Sequence, residues 1–276
     1  MSAVSSNGIE FLQPFQPKQD ATHVIFDFDG TLSWIRHGWP GIMLRLFREW
    51  LPPQEGETEQ ALDDLLMRDI LSLNGKPTIH QTRSFASIYN ARTTRNVDPD
   101  LLLEDYQRRL DAAIASRSQN IQTGENQVDD FVVWGARDFL NKLLERKLTL
   151  IILSGTIEHR VREEAELLQL SPYFKSHIYG GHSGPGTFTK RAVIDRLMVE
   201  EKIEGHHLVS FGDGPVEMAE TVAVGGLSIG VASNEELNGS GIMDDFKKDQ
   251  LTQAGASMLI ADFQNPDFLL SRIFGS

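Results

Sequence analysis

Short apolar segments recur along this chain, and each is followed by a turn and then by a helical pattern. Such alternation favours a parallel β-sheet with helices packed against it, because a parallel strand reaches its neighbour through a crossover connection. Helical spacing of apolar residues predicts two of these helices at Ala136–Arg146 and Ile157–Leu170. We therefore expect an α/β fold with its ligands at the carboxyl ends of the strands. The predicted strands are His23–Phe28, Leu148–Leu153, His207–Phe211, Leu227–Val231 and Met258–Ile260.

The pattern changes between about Trp34 and Val133, where we find helical spacing but no strong strand. Asp98 followed by Pro99 is typical of a helix start, with an N-cap aspartate and a proline at the first helical position. The polar stretch Ser116–Gln127 predicts a linker that returns to the sheet. The sequence thus predicts a core of residues 1–33 and 134–276 and an inserted all-helical domain of residues 34–133. Its apolar helix faces are Ile42, Met43, Leu46, Phe47, Trp50 and Leu51, then Leu62, Leu65, Leu66 and Ile70.

Composition excludes several classes of function. The formal net charge of −13 argues against nucleic acid or an anionic membrane as a partner, since both would be repelled. The chain has no cysteine, which excludes disulfides, zinc–thiolate sites, iron–sulfur clusters and thiol catalysis. No apolar segment typical of a secretory signal occurs in Met1–Asp20, so we expect a cytoplasmic protein. An oligomeric state is not indicated by any feature of the sequence.

The first predicted strand ends in two aspartates, Asp27 and Asp29, followed by Gly30. Residues two apart on a strand project to the same side, so the two carboxylates would lie together at its carboxyl end. Crowded carboxylates raise the pKa of one of them unless a cation lies between them, which separates a nucleophile from an acid–base group. An ordinary Asp-Gly turn at the end of a strand explains the same residues about equally well.

Three further elements lie at predicted strand ends or helix starts. Ser154 and Gly155 follow the second strand and lead into a helix, where a hydroxyl and backbone amides favour an anion. Lys190 begins a helix and would supply a fixed positive charge for a phosphoryl group. Asp213 ends another strand, and Glu217 lies in the first turn of the next helix. Their carboxylates offer the hard oxygen ligands that suit magnesium.

Each of these elements also has an ordinary structural explanation. Ser154 is explained as a helix N-cap, Lys190 as a solvated charge at a helix end, Asp213 as part of an Asp-Gly turn, and Glu217 as an acid favoured by the helix dipole. Taken singly, these explanations are the more frequent ones. What distinguishes this chain is the occurrence of all the elements together, in this order.

The combination resembles the haloacid dehalogenase-like hydrolase superfamily. Its signatures are an Asp-x-Asp-Gly-Thr strand end, a serine or threonine strand end, a lysine, and a Gly-Asp-x-x-x-Asp/Glu strand end, and all are present from about Thr22 onward. The resemblance implies a Rossmann-like core. The insert after the first motif is similar to the first class of cap domain, as in phosphoglycolate phosphatases and beta-phosphoglucomutases.

The resemblance also implies roles for individual residues. Asp27 would be the nucleophile and Asp29 the general acid and base, while Ser154 and Gly155 would bind the phosphoryl oxygens. Lys190 would steady Asp27 and the phosphoryl group. Magnesium would be held by Asp27, the backbone carbonyl of Asp29 and Asp213, with Glu217 in support. The expected reaction is hydrolysis of a phosphate monoester of a small metabolite through a phosphorylated aspartate.

The chain departs from its relatives directly after the first motif, at residues 33–40. Here Arg36 and His37 are candidates for substrate contact from the hinge, or else are merely solvated. Two other functions remain open at this stage. One is a phosphosugar mutase with the same aspartyl-phosphate chemistry, and the other is a non-catalytic binding protein that retains the fold.

Overall fold

A computed structural model of the chain describes residues 8–12, 15–74, 76–181 and 188–275. The chain divides into two compact units, Met1–Ile35 with Asn126–Ser276, and Arg36–Glu125. None of the described helices combines the length and apolar composition that crossing a membrane requires.

The first unit is built on a sheet that contains seven strands among the described residues. Its strand order is β1-β7-β6-β5-β2-β3-β4, with parallel pairing throughout except between β1 and β7. This mostly parallel sheet confirms the predicted α/β class. The strands are β1 Ile9–Phe11, β2 His23–Phe26, β3 Thr149–Ile157, β4 Ile178–Gly181, β5 Leu208–Gly212, β6 Leu227–Val231 and β7 Met258–Ile260.

Strand β2 lies between β3 and β5, at the point where the strand order reverses. The chain runs from β2 through β3 to β4 on one side and then returns to β5 on the other side. A crevice forms at the carboxyl ends of strands where connections leave in opposite directions. The carboxyl ends of β2, β3 and β5 are therefore the place to look for a site.

Fully buried phenyl rings pack on one face of this sheet. Phe26 stacks on Phe211 with 5.0 Å between ring centroids, and Phe139 packs edge-on against Phe211 at 5.3 Å. Phe263 stacks on Phe139 at 5.2 Å. Burial of each such ring contributes roughly 1.5–3 kcal/mol, so these contacts fix the position of β2 and β5.

The second unit, Arg36–Glu125, is helical. Its helices are α1 Trp39–Trp50, α2 Glu59–Ser72, α3 Ile79–Thr93 and α4 Pro99–Thr123. The apolar face predicted for α1 is buried, and Phe47 stacks on Phe85 of α3 with 4.0 Å between ring centroids. At the start of α4 the Asp98 side chain accepts a hydrogen bond from the Asp100 amide at 2.9 Å, which confirms the predicted cap.

The predicted return linker Ser116–Gln127 is wrong over most of its length. Helix α4 continues to Thr123 and ends at Gly124, whose φ is +79°. Neither proline nor glycine occurs between Ser116 and Gly124, and Arg117, Gln119 and Gln122 are good helix formers. Polarity alone suggested a linker, but no residue of the stretch ends a helix before Gly124.

The helices of the first unit follow its strands. They are α5 Ala136–Glu145, α6 Glu158–Leu167, α7 Ser171–Phe174, α8 Lys190–Glu200, α9 Pro215–Ala223, α10 Asp245–Gln253 and α11 Pro266–Phe274. The predicted strands all occur, although β2 ends two residues earlier than expected and β3 continues four residues further. The sequence did not predict β1 and β4, which are edge strands of three and four residues.

Candidate active site

The register of the sheet brings the predicted strand ends together. Phe26 of β2 pairs with Ile152 of β3 and with Phe211 of β5. The backbone N–H of Asp27 donates to the carbonyl of Phe211 at 2.9 Å, which continues this alignment past the end of β2. Asp27 is thereby held at the carboxyl end of β5, one residue before Asp213 in register.

A tight loop follows Asp27. Its Gly30 has φ +75°, and the Gly30 N–H donates to the Ser33 carbonyl at 2.9 Å. A side-chain Cβ at Gly30 would overlap with the Asp213 carboxylate. The Ser233 hydroxyl, two residues beyond the end of β6, donates to the Gly30 carbonyl at 2.6 Å and fixes the loop. Glycine is therefore required here both for the backbone conformation and for the close approach of Asp213.

Lys190 joins two carboxylates in the buried part of the site. Its Nζ donates to Asp27 Oδ1 at 2.8 Å and also to Glu217 Oε1. All three side chains are buried. A Cβ on Gly212 would lie 2.9 Å from the Cβ and Cγ of Glu217, so the glycine makes room for this acid. In the structure Glu217 holds Lys190 in place, and the lysine in turn holds Asp27.

The electrostatics of Asp27 fit a divalent cation. Burial raises the pKa of Asp27 to about 6, Asp213 and Asp29 push in the same direction, and the ammonium of Lys190 opposes them. Crowded carboxylates of this kind are stabilised by a hard cation, and oxygen donors are the ligands that Mg²⁺ prefers. The carboxylates of Asp27 and Asp213 therefore suit magnesium.

Asp29 contacts the end of β3. The Thr156 hydroxyl donates to Asp29 Oδ2 at 2.9 Å, and the Thr156 amide donates to Ser154 Oγ at 3.1 Å. Ser154 is buried, whereas Gly155 is exposed, with open space where a Cβ would lie. Helix α6 begins only at Glu158, so three residues separate Ser154 from the helix start. Thr156 was not predicted as a site residue from the sequence, although it directly follows the predicted residues Ser154 and Gly155.

Lys247 of α10 is a second residue that sequence reasoning missed. Its Nζ lies 3.0 Å from Asp213 Oδ2, 3.3 Å from Ser233 Oγ and 5.4 Å from the centroid of the Trp34 ring. One available signal is its place in the first turn of a helix whose N-cap is Asp244. A cation there opposes the helix dipole, so another interaction must hold it.

Arg36 and His37 begin the helical unit. Both side chains are partly buried, and the His37 carbonyl accepts a hydrogen bond from Arg117 Nη2 at 2.9 Å within that unit. Substrate contact by Arg36 or His37 stays a prediction.

Comparison with known proteins places these residues in a family. A model of haloacid dehalogenase-like hydrolases matches residues 21–225, a range that includes every residue of the site from Asp27 to Glu217. No curated protein matches the chain significantly.

Solved structures share the fold at low sequence identity. A predicted phosphoglycolate phosphatase from Haemophilus somnus 129pt has a TM-score of 0.61 and 14% identity, covering 91% of this chain and 97% of that one. A HAD family hydrolase from Deinococcus radiodurans R1, with bound phosphate and sodium, has a TM-score of 0.55 and 17% identity, covering 92% and 95%. A candidate beta-phosphoglucomutase from Thermotoga maritima has a TM-score of 0.55 and 16% identity, covering 91% and 97%. With its matched family model and the corresponding fold, this chain belongs to the haloacid dehalogenase-like hydrolases.

Proposed function

We propose that this enzyme is a magnesium-dependent phosphatase that hydrolyses a phosphate monoester of a small metabolite through a phosphorylated Asp27. The observation that carries the proposal is the buried Asp27, bonded to Lys190 and crowded by Asp29 and Asp213. A carboxylate held in this way can act as a nucleophile once a cation offsets the negative charge of the neighbouring Asp29 and Asp213.

In the first step a carboxylate oxygen of Asp27 attacks phosphorus, and the bond from phosphorus to the ester oxygen breaks. Asp29 gives its proton to the departing oxygen, so that the alcohol leaves neutral. The Thr156 hydroxyl, 2.9 Å from Asp29 Oδ2, orients this acid. Lys190 keeps Asp27 in position, and its ammonium group offsets negative charge on the transferring phosphoryl group.

In the second step water attacks the phosphorus of the aspartyl phosphate. Asp29, now ionised, accepts a proton from this water, and the acyl-phosphate bond breaks to release phosphate, which restores the Asp27 carboxylate and leaves Asp29 protonated for the next cycle. Magnesium bound by Asp27, Asp213 and the Asp29 carbonyl would neutralise charge on the phosphoryl oxygens throughout. Ser154 and Gly155 are proposed to bind phosphoryl oxygens from the end of β3.

The substrate class is supported by the fold neighbours. The Deinococcus radiodurans protein has bound phosphate, and the Haemophilus somnus protein is described as a predicted phosphoglycolate phosphatase. A small phosphorylated metabolite is accordingly the proposed substrate for this chain.

A panel of sugar phosphates, nucleotides and phosphoglycolate, assayed for phosphate release with Mg²⁺, tests the proposal directly. We expect release from at least one compound, loss of release in chelator, and no activity with Ca²⁺, whose looser coordination would misplace Asp27. The Asp27→Asn variant should be inactive and should take up no phosphoryl group. Phosphosugar isomerisation without phosphate release would instead identify a mutase, the activity suggested by the Thermotoga maritima neighbour.

A further inference from the structure

The amino ends of β2 and β5 carry a cluster of ionisable side chains that the proposed reaction does not use. His23 of β2 pairs with Leu208 of β5, so the segments before these strands lie side by side. The turn before β2 contains Asp20, and a 3₁₀ turn, Gly205–His207, precedes β5. Asp27 lies four positions after His23, a rise of about 13 Å along the strand, so the cluster and the nucleophile are at opposite ends of β2.

Two imidazoles in this cluster face one carboxylate. The Nε2 atoms of His206 and His207 are each 3.6 Å from Asp20 Oδ2, and the two ring centroids are 4.0 Å apart. One ligand atom from each residue lies within 4.8 Å of the others. Bonds of about 2.0–2.1 Å to a tetrahedral metal place neighbouring donors about 3.4 Å apart. The two distances of 3.6 Å from the histidine nitrogens to Asp20 Oδ2 are close to that value.

The second nitrogen of His206 also has a partner. His206 Nδ1 lies 3.4 Å from Glu204 Oε2. Histidines that bind metals through one nitrogen commonly present the other nitrogen to a carboxylate, which fixes the orientation and tautomer of the ring. The cluster therefore contains both the donor atoms of a metal site and the outer carboxylate that supports one of them.

The backbone that presents these donors is tightly held. The Thr22 N–H donates to the His207 carbonyl at 3.0 Å, and the His207 N–H donates to the Glu204 carbonyl at 2.9 Å. A Cβ at Gly205 would overlap with the Val224 carbonyl oxygen, so the 3₁₀ turn packs directly against the end of α9. The histidines are thus presented by a turn with little room to relax.

We propose that Asp20, His206 and His207 form a site for a late first-row divalent cation of the Zn²⁺ class. Two imidazole nitrogens and one carboxylate favour such ions over Mg²⁺, which takes oxygen ligands. All three side chains are partly solvent-exposed, the least being His207 at 29%, so water can complete the coordination. A bound ion would tie the turn before β2 to the turn before β5 and stabilise the folded chain.

Zinc titration of the full chain by calorimetry, with saturating Mg²⁺ to occupy the carboxylates at the other end of the sheet, tests the site. We expect one zinc equivalent for the parent protein, weaker binding for His206→Gln and for His207→Gln, and none for the double variant. Glu204→Gln should weaken binding by about tenfold. The matched control is His80→Gln, which removes an exposed histidine from α3 and should bind zinc like the parent.

Two further measurements keep the result interpretable. Zinc should raise the Tm of the parent but not of the double variant, and both should have the same Tm in chelator, which shows that the variant is folded. Cobalt(II) should give intense visible d–d bands with the parent, as a low-coordinate site requires, and weak bands with the double variant. Zinc binding that persists in the double variant, or that disappears only in Asp213→Asn, would overturn the proposal.

Discussion

Asp29 is the residue whose proposed role is most sharply testable. Asp29→Asn preserves shape but removes both proton transfers, so turnover of alkyl phosphates should fall by about 10²- to 10⁴-fold. An aryl phosphate needs little protonation of its leaving group, so the variant should still phosphorylate Asp27 and then hydrolyse the adduct slowly. Mass spectrometry after an acid quench should show one added phosphoryl group on the peptide that contains Asp27. Parental rates on both substrate types, or an adduct on Ser154 or His159, would refute these roles.

Lys247 leads to a prediction about metal affinity, because its ammonium lies 3.0 Å from Asp213 Oδ2. A cation at that distance competes electrostatically with Mg²⁺ for the same carboxylate. Lys247→Met should therefore tighten Mg²⁺ binding by about tenfold or more, as measured by calorimetry without substrate. Lys248→Met is the matched control, since the adjacent lysine loses the same charge but pairs with Glu10. Equal Mg²⁺ affinities in the two variants would contradict this role for Lys247.

Most of the site residues predicted from the sequence have a fixed relation to a strand end, whereas Lys190 was predicted from its place at a helix start. Asp27, Ser154 and Asp213 follow buried apolar runs, and parallel pairing then brings them to one edge of the sheet. Lys247 could not be found in this way, because a polar helix far along the chain delivers it. Thr156 was missed because its contact with Asp29 depends on the continuation of β3 beyond the predicted strand.

At the scale of elements, the loop after β2 depends on one glycine. Gly30→Ala introduces a Cβ at φ +75° and against the Asp213 carboxylate. A positive φ alone lowers the folding stability of an alanine variant by about 1–2 kcal/mol. The overlap of the new Cβ with Asp213 would also displace this proposed metal ligand. We expect a loss of folding stability together with markedly weaker Mg²⁺ binding.

Gly124→Ala is the control for the Gly30 variant. Gly124 ends α4 at φ +79°, and a Cβ there meets no atom within 4 Å. Its substitution should lower the free energy of unfolding in urea without changing Mg²⁺ affinity. Similar Mg²⁺ affinities for the two alanine variants would show that the contact between Gly30 and Asp213 is not needed for metal binding.

Some strands and helix ends of this fold could not be predicted from the sequence pattern. The five predicted strands coincide with short, mostly apolar runs that are buried in the sheet over most of their length. Strand β1 contains Glu10, and strand β4 contains Gly180 and Gly181, so neither forms a continuous apolar run; both are strands because they pair with the edges that β7 and β3 offer. Helix α4 shows the converse, because its final turns are polar, as in a linker, yet they contain neither proline nor glycine before the C-cap Gly124.

For the molecule as a whole, His23 makes folding stability dependent on pH. Burial lowers the pKa of His23 below 6.5, an effect that Glu201 partly opposes and that His177 and His207 reinforce. Between the folded and unfolded pKa values the unfolded chain binds more protons, so this contribution to the free energy of unfolding falls as pH drops below 6.5. Urea unfolding in chelator at pH 7.5 and 5.5 should show a smaller acid-induced loss for His23→Gln. An identical loss in parent and variant would exclude His23 as a source.

The antiparallel pairing of β1 with β7 has a consequence for the order in which the sheet is completed. Ile9 pairs with Ile260, so during synthesis β1 must wait for a partner strand that is made about 250 residues later. Closing so long a loop is slow compared with forming local structure. Until then the nascent chain carries Ile9–Phe11 without its partner strand, and any contact that shields this apolar segment during synthesis protects the protein from aggregation.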